Sequence, residues 1–112
     1  MTGFRRGDVV LVPFVFADES GSKMRPALVV SSALYHRGRR EAIVAAVTSN
    51  IERRLAGDHL LKGWREAGLL FPSVVTGILR TIQRGMIRRR LGSLGMPDLE
   101  AVESELRLSL DL

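Results

Sequence analysis

The side chains best placed to do chemistry in this chain of 112 residues are arginines and hydroxyls. Arg25 follows the polar stretch Asp18-Glu19-Ser20-Gly21-Ser22-Lys23 and precedes Pro26 and the apolar run Ala27-Leu28-Val29-Val30. The proline removes a backbone donor and disfavours the helical region for Arg25, so the arginine is held extended where a loop enters a strand. A guanidinium fixed there can fork onto a phosphate. The competing reading is a surface ion pair to Asp18 or Glu19. Thr48, with Ser49 and Asn50, closes the apolar run Ile43-Val44-Ala45-Ala46-Val47. A hydroxyl at a strand end can donate to, or accept from, a substrate oxygen, although the same trio is also ordinary turn chemistry. The densest basic series is Arg80, Arg84, Arg88, Arg89 and Arg90. It suits the tracking of a phosphate backbone, or pairing with an acidic helix or partner peptide.

Other chemistries find less support. His36 lies in the basic turn Tyr35-His36-Arg37-Gly38-Arg39-Arg40, and His59 precedes Leu60 and Leu61. Histidine titrates near neutrality, but both positions read as structural. Two isolated histidines without an acidic or cysteine cluster make no metal site. The absence of cysteine removes disulfides, thiolate ligands and a thiol nucleophile, and fits a reducing cytoplasm. Neither a phosphate-binding loop nor a dinucleotide fingerprint occurs at the required spacing. Aromatic residues are too few for an extensive base-stacking sheet. The N-terminus lacks the apolar core of a signal peptide, and no apolar run is long enough to span a bilayer.

Charge adds a direction. The formal net charge is +5. From Pro97 onward Asp98, Glu100, Glu103, Glu105 and Asp111 oppose only Arg107, so that tail carries −4 and residues 1–96 carry +9. A body this basic attracts polyanions, nucleic acid first among them, unless its arginines are merely solvated surface.

The elements that must position these groups are short. Strands are predicted over 9–14, 27–32, 41–48 and 58–61, with further strand-like pieces at 73–75 and 80–82 separated by Thr76-Gly77. Trp64 to Leu69 reads as a helical turn. Met86 to Leu94 is basic and either extended or helical. Asp98 is placed to cap a terminal helix with apolar positions Leu99, Val102, Leu106 and Leu110. The chain is therefore expected to be one mainly β domain over 1–112, a small, strongly bent antiparallel barrel with a C-terminal helix.

The segments Gly7-Asp8-Val9-Val10-Leu11-Val12-Pro13-Phe14, Arg25-Pro26-Ala27-Leu28-Val29-Val30-Ser31, Val47-Thr48-Ser49, Gly68-Leu69 and Ser73-Val74-Val75 together resemble the MazF/PemK family of toxin ribonucleases. The resemblance covers nearly the whole chain, with weaker echoes at Arg80-Thr81 and Ile87 through Leu94. It implies an SH3-like barrel (CcdB/PemK-like) that forms homodimers. It also implies a cytoplasmic, metal-independent, cofactor-free endoribonuclease, neutralised by a cognate antitoxin whose acidic tail lies over the active grooves. The implied reaction is attack of a ribose 2′-hydroxyl on the adjacent phosphate of single-stranded RNA, giving 2′,3′-cyclic phosphate and 5′-hydroxyl ends. The family's catalytic arginine and threonine fall on Arg25 and Thr48. Ser22, Lys23, Ser49, Asn50, Arg80 and Arg84 are the accompanying RNA-binding candidates, and residues 16–24 and 50–58 the candidate determinants of sequence selectivity. The chain departs from the pattern after Val75: Thr76-Gly77-Ile78-Leu79-Arg80 is one residue short and lacks an acid present in many relatives. The alternative expectation is a non-catalytic toxin or binding protein on the same fold, acting on a protein such as gyrase or holding RNA without cutting it.

Overall fold

Runs of valine and alanine set the architecture. In the computed structural model, which describes residues 3–14, 23–52 and 54–112, they form β1 (Asp8–Phe14), β2 (Lys23–Val29), β3 (Glu41–Thr48), β4 (His59–Leu60), β5 (Val74–Gln83) and β6 (Arg89–Ser93). A four-residue helix α1 (Ala33–His36) joins β2 to β3, a 3₁₀ turn (Arg84–Met86) joins β5 to β6, and α2 (Met96–Leu110) ends the chain. The strands make one curled antiparallel sheet in the order β4-β5-β3-β2-β1-β6.

The continuous apolar runs are explained by burial on both faces of the central strands. Side chains alternate between faces, so Val9, Leu28, Ala45 and Val47 serve one core while Val10, Val12, Phe14, Ala27, Val29, Val44 and Ala46 serve the other. The first core is closed by Val102 and Leu106 of α2 and by Leu61, Trp64, Ala67 and Leu69. The second is closed by Ile87, Phe4 and Ile82. Register shifts at Val9/Val10 and at Ala45/Val47 bend the sheet, because an extra residue on one strand increases local twist.

Several sequence-based boundaries are corrected. Thr76-Gly77 does not divide two strands: β5 runs through it, at the bulge opposite Ala46. Thr76 Oγ donates to the Ala46 carbonyl at 2.8 Å, and Gly77 N–H donates to Asp58 Oδ1 at 2.9 Å. The bulge occupies the polar groups that a turn would have used. The choice left open for Met86 to Leu94 falls to the extended form over Arg89–Ser93, since β6 pairs with β1. The fourth strand shrinks to His59–Leu60, and Trp64 to Leu69 forms hydrogen-bonded turns. The terminal helix begins at Met96 with Gly95 as its N-cap and Pro97 in its first turn. Asp98 does not cap it. Its carboxylate accepts instead from Lys62 N–H at 3.0 Å, Gly63 N–H at 2.8 Å and His59 Nε2 at 2.8 Å.

Candidate functional site

A groove of about 400 Å³ opens where β3 ends. Leu11, Pro26 and Val47 give it an apolar floor, Arg25, Thr48, Ser49, Ser73 and Arg89 contribute its polar groups, and Gly68 to Phe71 form a wall. No carboxylate stands among its described lining residues. Two guanidiniums and three hydroxyls on this lining form a surface suited to an anion.

Local structure places each group. Arg25 is half-buried on β2, opposite Val12 of β1. Arg89 enters from β6, opposite Leu11. Thr48 is the last residue of β3, and its Oγ accepts from Asn50 N–H at 3.1 Å. That bond uses a lone pair and leaves the hydroxyl proton for a ligand oxygen. Ser49 is exposed in the groove.

The remaining candidates lie elsewhere. Asn50 shapes the exit from β3, its side-chain oxygen accepting from Glu52 N–H at 3.4 Å. Lys23 is exposed at the start of β2, two residues before Arg25 and on the same face by strand alternation. Ser22 lies outside the described residues, as do Asp18 and Glu19. Arg80 sets its guanidinium over the Phe14 ring at 5.4 Å and donates to the Leu79 carbonyl at 3.0 Å, outside the groove. Arg84 donates to the Arg39 carbonyl at 2.6 Å. It sits beside the Glu41–Gln83 pair, at the opposite end of β3 from Thr48 and roughly 23 Å away along the strand.

Sequence reasoning missed Ser73 and the Leu70-Phe71 wall, and named Arg89 only as one of a basic series without singling it out. Arg89 belongs to the conspicuous Arg88-Arg89-Arg90 triplet, but only the pairing with β1 shows which member faces the groove. Leu70 and Phe71 are apolar and yet exposed.

Both histidines have structural roles. His36 is buried and shares a 2.6 Å hydrogen bond with Ser31 Oγ. Burial, and then the charge of Arg84, lower its pKa. His59 is engaged with Asp98. Burial alone would raise the Asp98 pKa, but bonds from His59, Lys62 N–H and Gly63 N–H outweigh it and hold the carboxyl below its ordinary range. Among the described residues, no three His, Cys, Asp or Glu side chains are grouped to hold a metal. No described helix is long and apolar enough to cross a membrane.

Known proteins match this arrangement. The chain is 30% identical over 112 residues to endoribonuclease EndoA of Bacillus subtilis, covering 96% of this chain and 95% of that protein. A mycobacterial endoribonuclease solved with its cognate antitoxin superposes with a TM-score of 0.80 at 16% identity, covering 98% of this chain and 97% of that one. The Mycobacterium tuberculosis toxin MazF-mt6 superposes with a TM-score of 0.76 at 24% identity, covering 94% and 97%. The model of the PemK-like, MazF-like toxins matches residues 5–110, and the chain belongs to that family of type II toxin–antitoxin systems.

Proposed function

We propose that this toxin is an endoribonuclease that cuts single-stranded RNA by attack of a ribose 2′-hydroxyl on the adjacent phosphate, leaving 2′,3′-cyclic phosphate and 5′-hydroxyl ends. The observation that carries the reading is the convergence of Arg25, Arg89, Thr48 and Ser49 on a groove whose described lining contains no carboxylate. The kinship with EndoA of Bacillus subtilis supports the same activity.

Charge builds on the phosphate oxygens as the fifth bond forms, and preorganised donors lower that barrier most. Arg25 neutralises the developing charge from β2. Arg89 approaches from β6 and holds the same or the neighbouring phosphate. Thr48, whose oxygen already accepts from Asn50 N–H, keeps its proton and donates a hydrogen bond to a non-bridging oxygen. As the 2′-oxygen–phosphorus bond forms and the bond to the 5′-oxygen breaks, the proton lost by the 2′-hydroxyl is balanced by the one the 5′-oxygen takes up. The reading needs no metal ion or cofactor.

The protein acts in the cytoplasm as one domain and as a homodimer, restrained by a cognate antitoxin. The basic body, +9 over residues 1–96, favours both an RNA ligand and an acidic antitoxin segment. Sequence selectivity belongs to residues 16–24 and 50–58.

The test is incubation of purified protein with mixed-sequence RNA, with and without EDTA, beside R25A and T48A. Cleavage should survive EDTA, leave cyclic phosphates and fall roughly 100-fold or more in each variant, the scale of losing one transition-state donor. Intact RNA, from protein that still arrests growth, would overturn the ribonuclease in favour of a toxin that binds a protein target.

A further inference from the structure

We propose that Phe71 is a stacking platform for one unpaired base of the RNA in the groove, setting the register of that base relative to the phosphate held by Arg25. The inference rests on the groove binding RNA. Phe71 is 63% exposed and Leu70 is 84% exposed, and both line the groove that holds Arg25, Thr48 and Arg89. Their side chains take no part in either core, so the fold does not explain them.

The backbone that carries them is nevertheless firmly fixed. Upstream, the Asp98 carboxylate accepts from Lys62 and Gly63 N–H, and Leu69 N–H donates to the Trp64 carbonyl at 3.0 Å. Gly68 has a φ of +82°, and a Cβ there would collide with the Leu91 carbonyl. A Cβ on Gly92 would in turn strike the Ala67 backbone. The wall is therefore pressed directly against β6, in a contact only glycines allow. Leu69 is anchored in the core. Downstream, Pro72 confines Phe71 to an extended backbone, and Ser73 Oγ donates to the Phe71 carbonyl at 2.8 Å. A ring exposed on so rigid a support is preorganised for a ligand.

The neighbouring chemistry selects the occupant. Arginines that hold phosphate beside an aromatic that takes a base are the usual pairing in single-strand recognition. The carboxylates of an acidic peptide would be satisfied by Arg25 and Arg89 and do not themselves call for an aromatic ring. Stacking tolerates any base, so Phe71 contributes affinity and register, not base identity.

The test compares wild type with F71A, F71L and F71W on one RNA containing a mapped cleavage site. Uncleavable 2′-O-methyl oligonucleotides of that sequence, each with one base removed, report binding. F71A and F71L should raise KM and Kd roughly fivefold or more with kcat little changed, while F71W retains wild-type values. Removing the base at one position should weaken wild type and F71W and leave F71A unaffected. Wild-type behaviour of F71A or F71L, or the absence of any Phe71-dependent position, would overturn the platform and leave the ribonuclease standing. So would loss of antitoxin binding by F71A with unchanged RNA binding. A wild-type protein that neither cuts nor binds RNA would overturn both.

Discussion

Arginine is abundant in this chain, and its role differs with each side chain's surroundings. Arg6 pairs with Glu103 at 2.9 Å, which ties the segment before β1 to α2, and also donates to the Val30 carbonyl. Arg84 caps the Arg39 carbonyl, and Arg80 lies over Phe14. Arg25 and Arg89 reach the groove. Replacement by alanine should separate these roles. R89A should cut RNA cleavage by roughly 10- to 100-fold, since it removes the charged donor proposed to hold the reacting or the neighbouring phosphate. R84A should leave cleavage of a short oligonucleotide unchanged, because its guanidinium lies at the far end of β3. Initial rates on one labelled oligonucleotide read both, and equal losses would refute the division. For the same reason Arg84, conspicuous in the sequence, is a weaker candidate than Arg89.

The groove wall depends on a contact between elements distant in sequence. Asp98, in the first turn of α2, is buried and bonded to His59, Lys62 and Gly63, so the helix clamps the strand and turn that lead to Leu70-Phe71. D98N keeps the shape but loses the charge, and one of its amide protons faces a backbone N–H. Stability should fall by about 1–3 kcal/mol, the usual scale for leaving buried polar groups unsatisfied. Folding holds this carboxyl below its ordinary range. Its stabilising effect is therefore complete above the unfolded pKa of about 3.9 and fades as pH falls through the lower folded value. Urea unfolding between pH 6 and pH 3 should show the gap between wild type and D98N closing at the acid end. A gap independent of pH would contradict the clamp as an ionic one.

At the scale of the whole molecule, charge is segregated. The acids of α2 are partly occupied within the fold: Glu103 holds Arg6, and Glu105 accepts from Gly57 N–H at 2.9 Å. Asp98 is enclosed by the clamp. The helix thus masks little of the basic surface around the groove. RNA affinity should accordingly fall with added salt, by a log–log slope of about 0.7 for each phosphate neutralised on a single strand. R89A should lower that slope by about 0.7, whereas F71A should lower affinity and leave the slope unchanged. Salt titrations of the wild type and both variants on one oligonucleotide distinguish the two kinds of contact.

The sequence by itself determined the elements whose signal is local. β-branched and alanine runs specified the central strands, because burial on both faces permits no polar alternation. Apolar spacing at Val102 and Leu106 specified the terminal helix. Pro26 marked Arg25 as extended, although β2 begins earlier than expected, at Lys23, and takes Arg25 inside the strand opposite Val12; the position of Thr48 after Val47 fixed it at a strand end. That the two line one groove followed from the family resemblance and not from their spacing. The tertiary structure decided the rest, because it depends on pairing and close approach. Antiparallel pairing with Leu11 selected Arg89 from three adjacent arginines. The bulge opposite Ala46 absorbed Thr76-Gly77 into one strand, where local turn propensity favoured a break. Asp98, with the chemistry of a helix cap, was claimed by the N–H groups of Lys62 and Gly63 because α2 packs beside them. Leu70 and Phe71 were left exposed because Gly68 and Gly92 draw the preceding turn against β6. No local signal encodes that approach, since it depends on two glycines lying 24 residues apart in the chain.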